Sequence, residues 1–165
     1  MTITDLLVER LVMGRKWTES LLADIEESRW FEMPCSPTGH IAWQIGHLAA
    51  SQIGLVHHRC AGRPLDEVLP EGTRLMFGRG STPVADSTKY PPISEIRSLF
   101  VRTQREVIDM VRNFSAADLE SPAGTEPHPM FSSKAGAISM AAMHETFHAG
   151  QIAMLRRAFG KAALR

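Results

Sequence analysis

Only two cysteines, Cys35 and Cys60, occur in 165 residues, too few for the disulfide framework on which small secreted domains depend. An excess charge of one sign is also missing: 18 Lys plus Arg balance 18 Asp plus Glu. No overall field therefore draws the chain to nucleic acid or to an anionic membrane. No stretch reaches the roughly 18 uncharged apolar residues of a membrane span. Asp5, Glu9 and Arg10 occupy the first turns, where a secretory leader would be apolar. Together these absences predict a cytoplasmic protein with no nucleic-acid or membrane partner. At 18.3 kDa the chain fits one domain over 1–165, long enough to bury about 70% of its unfolded surface around a single core.

Sustained period-two alternation is absent as well, which argues against β-structure. What is there has helical period. Leu7, Leu11, Met13, Trp17, Leu21 and Ile25 recur at three- and four-residue steps, predicting helix one from Thr4 to about Ser28. Met33-Pro34-Cys35-Ser36-Pro37 interrupts it, and Thr38 offers an N-cap for helix two, reaching Cys60 before Gly62 and Pro64. Residues 62–92 hold too many Gly and Pro for more than a short helical turn. Ile96, Leu99, Phe100, Thr103, Val107, Met110 and Val111 form the stripe of helix three, which begins at Ser94 and ends near Phe114. Ser115 to Asp118 reads as a short capped turn, and Ser132 or Ser133 caps helix four, from about Lys134 to Phe159. The fold class is all-α, a four-helix bundle with long crossover loops.

The most informative segment lies inside helix four: His144-Glu145-Thr146-Phe147-His148. A four-residue step on an α-helix stacks two imidazoles on one face, and neutral imidazole suits divalent zinc, nickel, cobalt or ferrous iron. The segment satisfies the H-E-x-x-H expression of zinc peptidases, but the continuation does not. Gln151 and Met154 stand where one branch needs Gly and His, and no acidic residue follows His148 for the other. A third ligand must come from upstream, where His40, His47, His57, His58 and His128 are the candidates.

On helix two, His40, Gln44, His47, Ser51 and His58 share a polar stripe beside the apolar Ile41, Ile45, Leu48 and Leu55. His47 falls near mid-helix, where a buried imidazole needs a partner. One ion would satisfy His47, His144 and His148 together, and these three are the expected ligands. The competing reading is that they are core-edge histidines bonded to their neighbours.

Ile45-Gly46-His47-Leu48 and His144-Glu145-Thr146-Phe147-His148-Ala149-Gly150-Gln151-Ile152, followed by Leu155-Arg156-Arg157, resemble the DinB-like superfamily, which includes the bacillithiol S-transferases. The resemblance covers the order of elements over almost the whole chain. It implies a four-helix bundle and one divalent metal ion, most often nickel or zinc, held by one His of helix two and two of the last helix. The matching positions are again His47, His144 and His148. It also implies a homodimer, and a small-molecule substrate with a low-molecular-weight thiol as co-substrate. Members include thiol transferases, a mycothiol-dependent isomerase relative and proteins with no known reaction, so family membership does not fix the chemistry.

Three neutral ligands leave an ion its full charge and an open position, able to hold a thiol as thiolate or to acidify water. Thiolate chemistry makes the chain a metal-dependent S-transferase joining the thiol to an electrophile. Hydroxide chemistry makes it a hydrolase with Glu145 as catalytic base, and a third reading is a metal-binding stress-response protein without turnover. Glu145 is equally a residue that bonds helix two or solvent. Gln151 and Gln44 are candidate pocket-lining residues, each with a helix-packing reading beside it, as has Ser51. His57, His58 and Cys60 cluster at the end of helix two, where dipole interaction accounts for the histidines and a second metal site is the lesser reading. His128, between Pro127 and Pro129, reads as a surface loop residue with a pocket-rim reading beside it. Arg156, Arg157, Lys161 and Arg165 are expected to pair with the carbonyl end of helix four, with contact to a carboxylate-bearing thiol cofactor as the alternative for one of them. Met76, Phe77, Met130 and Phe131 fall in loops, as lids or an interface.

Overall fold

Thr2 and Asp5 form a reciprocal capping box that opens α1, Ile3–Leu22. In the computed structural model, which describes residues 1–35 and 38–164, the other long elements are α2 (Ile41–Gln52), α5 (Ile93–Arg112) and α7 (Lys134–Ala158). Shorter helices α3 (Leu65–Val68), α4 (Glu71–Phe77) and α6 (Ala116–Glu120) punctuate the connections. No strand is present among the described residues, only isolated bridges at Pro122 with Ser133 and His128 with Phe131. Ser36 and Pro37 of the expected breaker, and Arg165 of the basic run, lie outside the described residues.

Three boundaries differ from the pattern in the sequence. Helix one ends at Leu22, and residues 27–29 form a separate 3₁₀ turn. Helix two begins at Ile41, with His40 rather than Thr38 as its cap: the His40 Nδ1 accepts the Trp43 N–H at 3.1 Å. Imidazole nitrogen does here what a hydroxyl does at most caps. Beyond Gln52, α2 widens into a π-helical segment, Ile53–Cys60, where Ala61 N–H reaches Val56 O. The turn Ser115 to Asp118 is a capping box, as its sequence indicates.

Two apolar clusters share the core. Leu7 and Leu11 of α1, Val56 and Cys60 after α2, Val107 and Val111 of α5 and Ala137 to Ala142 of α7 form one. Leu21, Ile41 to Ile53, Ile96, Phe100 and Ala149 to Leu155 form the other. Between them each long helix contributes a buried polar residue: Arg15, Gln52, Gln104 and Glu145. The Arg15 guanidinium donates to both Glu145 oxygens, at 2.7 and 3.3 Å, and to Phe100 O at 2.7 Å. Gln52 donates to Gln104 Oε1 at 2.8 Å and to Glu145 at 3.1 Å, and Gln104 donates to Leu11 O at 3.0 Å. Buried charge is tolerable because it is paired and hydrogen-bonded.

The order of the clusters along each helix sets directions. α1 and α7 run from the first cluster to the second, while α2 and α5 run the other way. α7 packs between α1 and α2, and α5 closes the ring. α2 and α5 are therefore parallel neighbours, so the connection between them must return along the length of the bundle. That return path, 61–92, carries α3 across the π-helical segment and α4 across α2.

Candidate metal centre

His47 projects from α2, and His144 and His148 project one turn apart from α7. Their ligand nitrogens all lie within 4.8 Å of one another, and the ring centroids are 4.5 to 5.1 Å apart. The third residue is thus brought from the distant helix to the i, i+4 pair. Of the other upstream histidines, His40 caps α2 and packs against Phe31 and Tyr90. His57 is buried 3.7 Å from Glu106, His58 bonds Arg63 O, and His128 stacks on Phe131. None of them joins a metal-capable group among the described residues.

The hydrogen bonds around the cluster fix which nitrogens are free. Thr38 O can only accept, so the Gln44 amide must present its Nε2 there and its Oε1 to His148 Nδ1, 2.5 Å away. His148 Nδ1 must then carry the proton, leaving the Nε2 lone pair toward the cluster. Phe77 O likewise demands a proton from His47 Nδ1 at 2.7 Å, which frees His47 Nε2. This is the carbonyl–imidazole support that metal-ligating histidines have. His148 Nε2 lies 3.1 Å from His144 Nε2, close to the roughly 3.4 Å between two nitrogens about 2.1 Å from a tetrahedral ion. A proton from His144 or a cation must sit between the pair, since two bare lone pairs at that distance repel.

Burial holds all three rings neutral. It pulls the His148 pKa down to about 3, helped by the neighbouring His144 and His47, with Gln151 opposing. Burial and then the His47 charge bring His144 to about 4. His47 is also lowered by burial, against the Phe77 carbonyl. Neutral imidazole is the ligating form. The residues present therefore fit a divalent ion. Gln151 acts on His148, and among the described residues its buried Oε1 makes no hydrogen bond of normal geometry, which makes it an acceptor for water or substrate beside His148.

Two supports escaped the sequence pattern. Trp43 stacks on His47, centroids 4.7 Å apart and planes within 8°, and donates its indole N–H to Ser81. Its place one turn before His47 was a usable signal. Phe77 O was not, because a loop carbonyl leaves no trace in residue identity. The approach of α4 depends on Gly46, where a Cβ would lie 2.5 Å from the Phe77 ring.

Other expected residues are placed elsewhere. Both Glu145 oxygens are occupied by Arg15 and Gln52, so the carboxylate belongs to the buried polar layer, and it is not part of the metal-capable group. Ser51 is the exception: its Oγ lies 3.4 Å from His47 Nε2 and it lines the cavity at the cluster, a long contact that a bound ion would displace. Arg156 joins the end of α7 to Asp24 after α1, at 3.0 and 2.6 Å, in place of capping carbonyls of its own helix alone. Phe77 is core, Met130 is exposed, and burial pushes the Cys60 thiol up to about 12.

The family model of the DinB superfamily matches residues 10–152, a span that contains all three histidines and most of the bundle. The chain belongs to the DinB superfamily. Curated proteins provide no match to it. Membership in the DinB superfamily agrees with the all-α fold and with a histidine cluster able to hold a metal ion. No helix among the described residues of this superfamily member is long and apolar enough to cross a membrane.

Proposed function

We propose that this DinB-superfamily chain is a cytoplasmic, metal-dependent thiol S-transferase, with nickel or zinc held by His47, His144 and His148. The observation that carries the reading is the pair of forced tautomers: Gln44 and Phe77 O hold the His148 and His47 Nδ1 protons, which points both Nε2 lone pairs at one place. When bound, the ion supplies positive charge that keeps a thiol deprotonated near neutral pH. His47, His144 and His148 hold it, Gln44 and Phe77 orient two of the rings, and Trp43 shields the His47 face from water. The reaction this reading requires is a displacement: the thiol sulfur would bond the electrophilic carbon as that carbon releases its leaving group, and the thiol proton would pass to solvent. Hydrolysis with Glu145 as base is less well supported, since the Glu145 oxygens are already bonded to Arg15 and Gln52.

The reading includes a homodimer. Exposed Met13 and Trp17 on α1 and Met143, Phe147 and Met154 on α7 support it, since α1 and α7 are neighbours. Metal analysis of untagged protein and of His148→Ala tests the ligand set: the wild type is expected to retain one ion and the variant to lose it. An unchanged metal content in the variant refutes the assignment. Consumption of a small thiol with an alkyl halide, dependent on the metal, tests the reaction. Metal without such turnover refutes the thiol-transfer reading and leaves metal binding with hydrolysis or no turnover.

A further inference from the structure

A cavity of about 820 Å3 opens directly onto the histidine cluster, with His47 and His144 in its wall. That volume suits a small-molecule site. Among the described residues its lining includes Arg59, Arg74 and Arg79 together with His58 and His128, and no Asp or Glu. In a chain whose charges balance overall, such segregation is informative. A second cavity, of about 650 Å3, sets Arg63 and Arg102 among Glu67, Glu95 and Glu106, so single-sign lining is not general here.

The three arginines are uncompensated. None forms an ion pair among the described residues. Arg59 is anchored by the backbone carbonyls of Ala123 and Glu126, at 3.1 and 3.0 Å, which positions its guanidinium without neutralising it. Arg74 lies in α4 and Arg79 just after it, on the same returning connection that supplies Phe77 O to His47. The Arg59 and Arg79 charges both act on His128, after burial, to lower its pKa, so these two arginines and His128 lie near one another in the cavity lining. Arg74 and Arg79 are exposed and Arg59 is half-buried, so solvent screens their repulsion, yet an anion entering the cavity meets donors of one sign only.

We infer that this cavity is an anion-recognition site, in which Arg74 and Arg79, with Arg59 behind them, bind the carboxylates of a small anionic co-substrate whose reacting atom lies toward His47 and His144. Guanidinium groups suit carboxylates because their donors match both oxygens. The orientation of the co-substrate rests on the transferase reading; the anion site itself does not. Either the thiol or the electrophile can carry the charge, and three probes separate them: succinate, mercaptosuccinate and 2-mercaptoethanol.

Calorimetry on metal-free protein with succinate tests the anion site alone. Binding is expected to weaken about tenfold or more in Arg74→Ala/Arg79→Ala, to recover in part in Arg74→Lys/Arg79→Lys, and to be unchanged in Arg10→Ala, an exposed α1 arginine outside the cavity. Cobalt-loaded protein then reports thiolate coordination by its charge-transfer band. Mercaptosuccinate is expected to produce the band at a concentration about tenfold below that of 2-mercaptoethanol, an advantage the double alanine variant loses. Succinate binding that depends on Arg74 and Arg79, with no thiolate band from either thiol, sustains the anion site and refutes the thiol chemistry. Absence of succinate binding, or equal binding by wild type and double alanine variant, overturns the inference.

Discussion

Gln44 sits between a carbonyl that can only accept and an imidazole whose proton it therefore holds. Gln44→Ala removes that constraint, so His148 is free to rotate or to present the wrong nitrogen. Metal affinity is expected to fall about 10- to 100-fold, measured by competition with a chelator, while the helical content stays at the wild-type level. Glu145 is expected to behave in the opposite way. Glu145→Gln leaves Arg15 buried without its counter-charge and is expected to lower unfolding free energy by about 3–5 kcal/mol, with metal content retained. Loss of a metal-dependent hydrolytic turnover at unchanged stability would instead return the base role to Glu145. At this scale spacing made the three histidines legible, because a helical repeat carries side-chain direction in residue number. It placed Glu145 only about 100° from His144, and nothing in that angle revealed that Arg15, on another helix, would claim the carboxylate.

α2 brings the site together, and it does so through a close approach. Gly46 lies against the Phe77 ring, and Phe77 is 1% exposed. Gly46→Ala is expected to cost about 1–3 kcal/mol by overpacking, and to draw the Phe77 carbonyl away from His47. Denaturant midpoint and metal affinity should fall together; a stability loss with unchanged metal affinity would show that Phe77 O does not orient the ligand. The long helices were readable from apolar period, and so was the break after α2. The π-helical segment Ile53–Cys60 was not: adding about one residue per turn changes backbone register without any distinguishing residue type. Within it His57 is buried against the smaller cavity, while His58 lines the cavity at the histidine cluster. The cap at His40 was missed for a related reason, since hydroxyl and carboxylate caps dominate the expectation and Thr38 was near enough to satisfy it.

Across the whole molecule, folding places several histidines where a proton is unwelcome. Burial pulls His40 and His144 to about 4 and His148 to about 3, and it also lowers His47 and His57, all from an ordinary value of 6.5. As pH falls below about 6.5 the unfolded chain takes up protons that the folded chain refuses, so unfolding gains free energy from each group. The stability these neutral rings permit is fully present above 6.5 and is lost as pH falls through the folded values near 4 and 3. Asp24 and Asp5 are themselves lowered, by their bonds to Arg156 and Thr2, so they are lost only below the ordinary carboxylate range and leave the window from 6.5 to 4 to the histidines. Urea midpoints of the metal-free protein are expected to hold steady from about pH 8 to 7 and to decline steadily from about pH 6.5 to 4.5. A variant carrying His144→Asn and His148→Gln is expected to decline less steeply, because two of the refused protons are gone. Parallel slopes for variant and wild type would mean that both rings take up protons inside the fold, and that the pocket is wetter than its burial indicates.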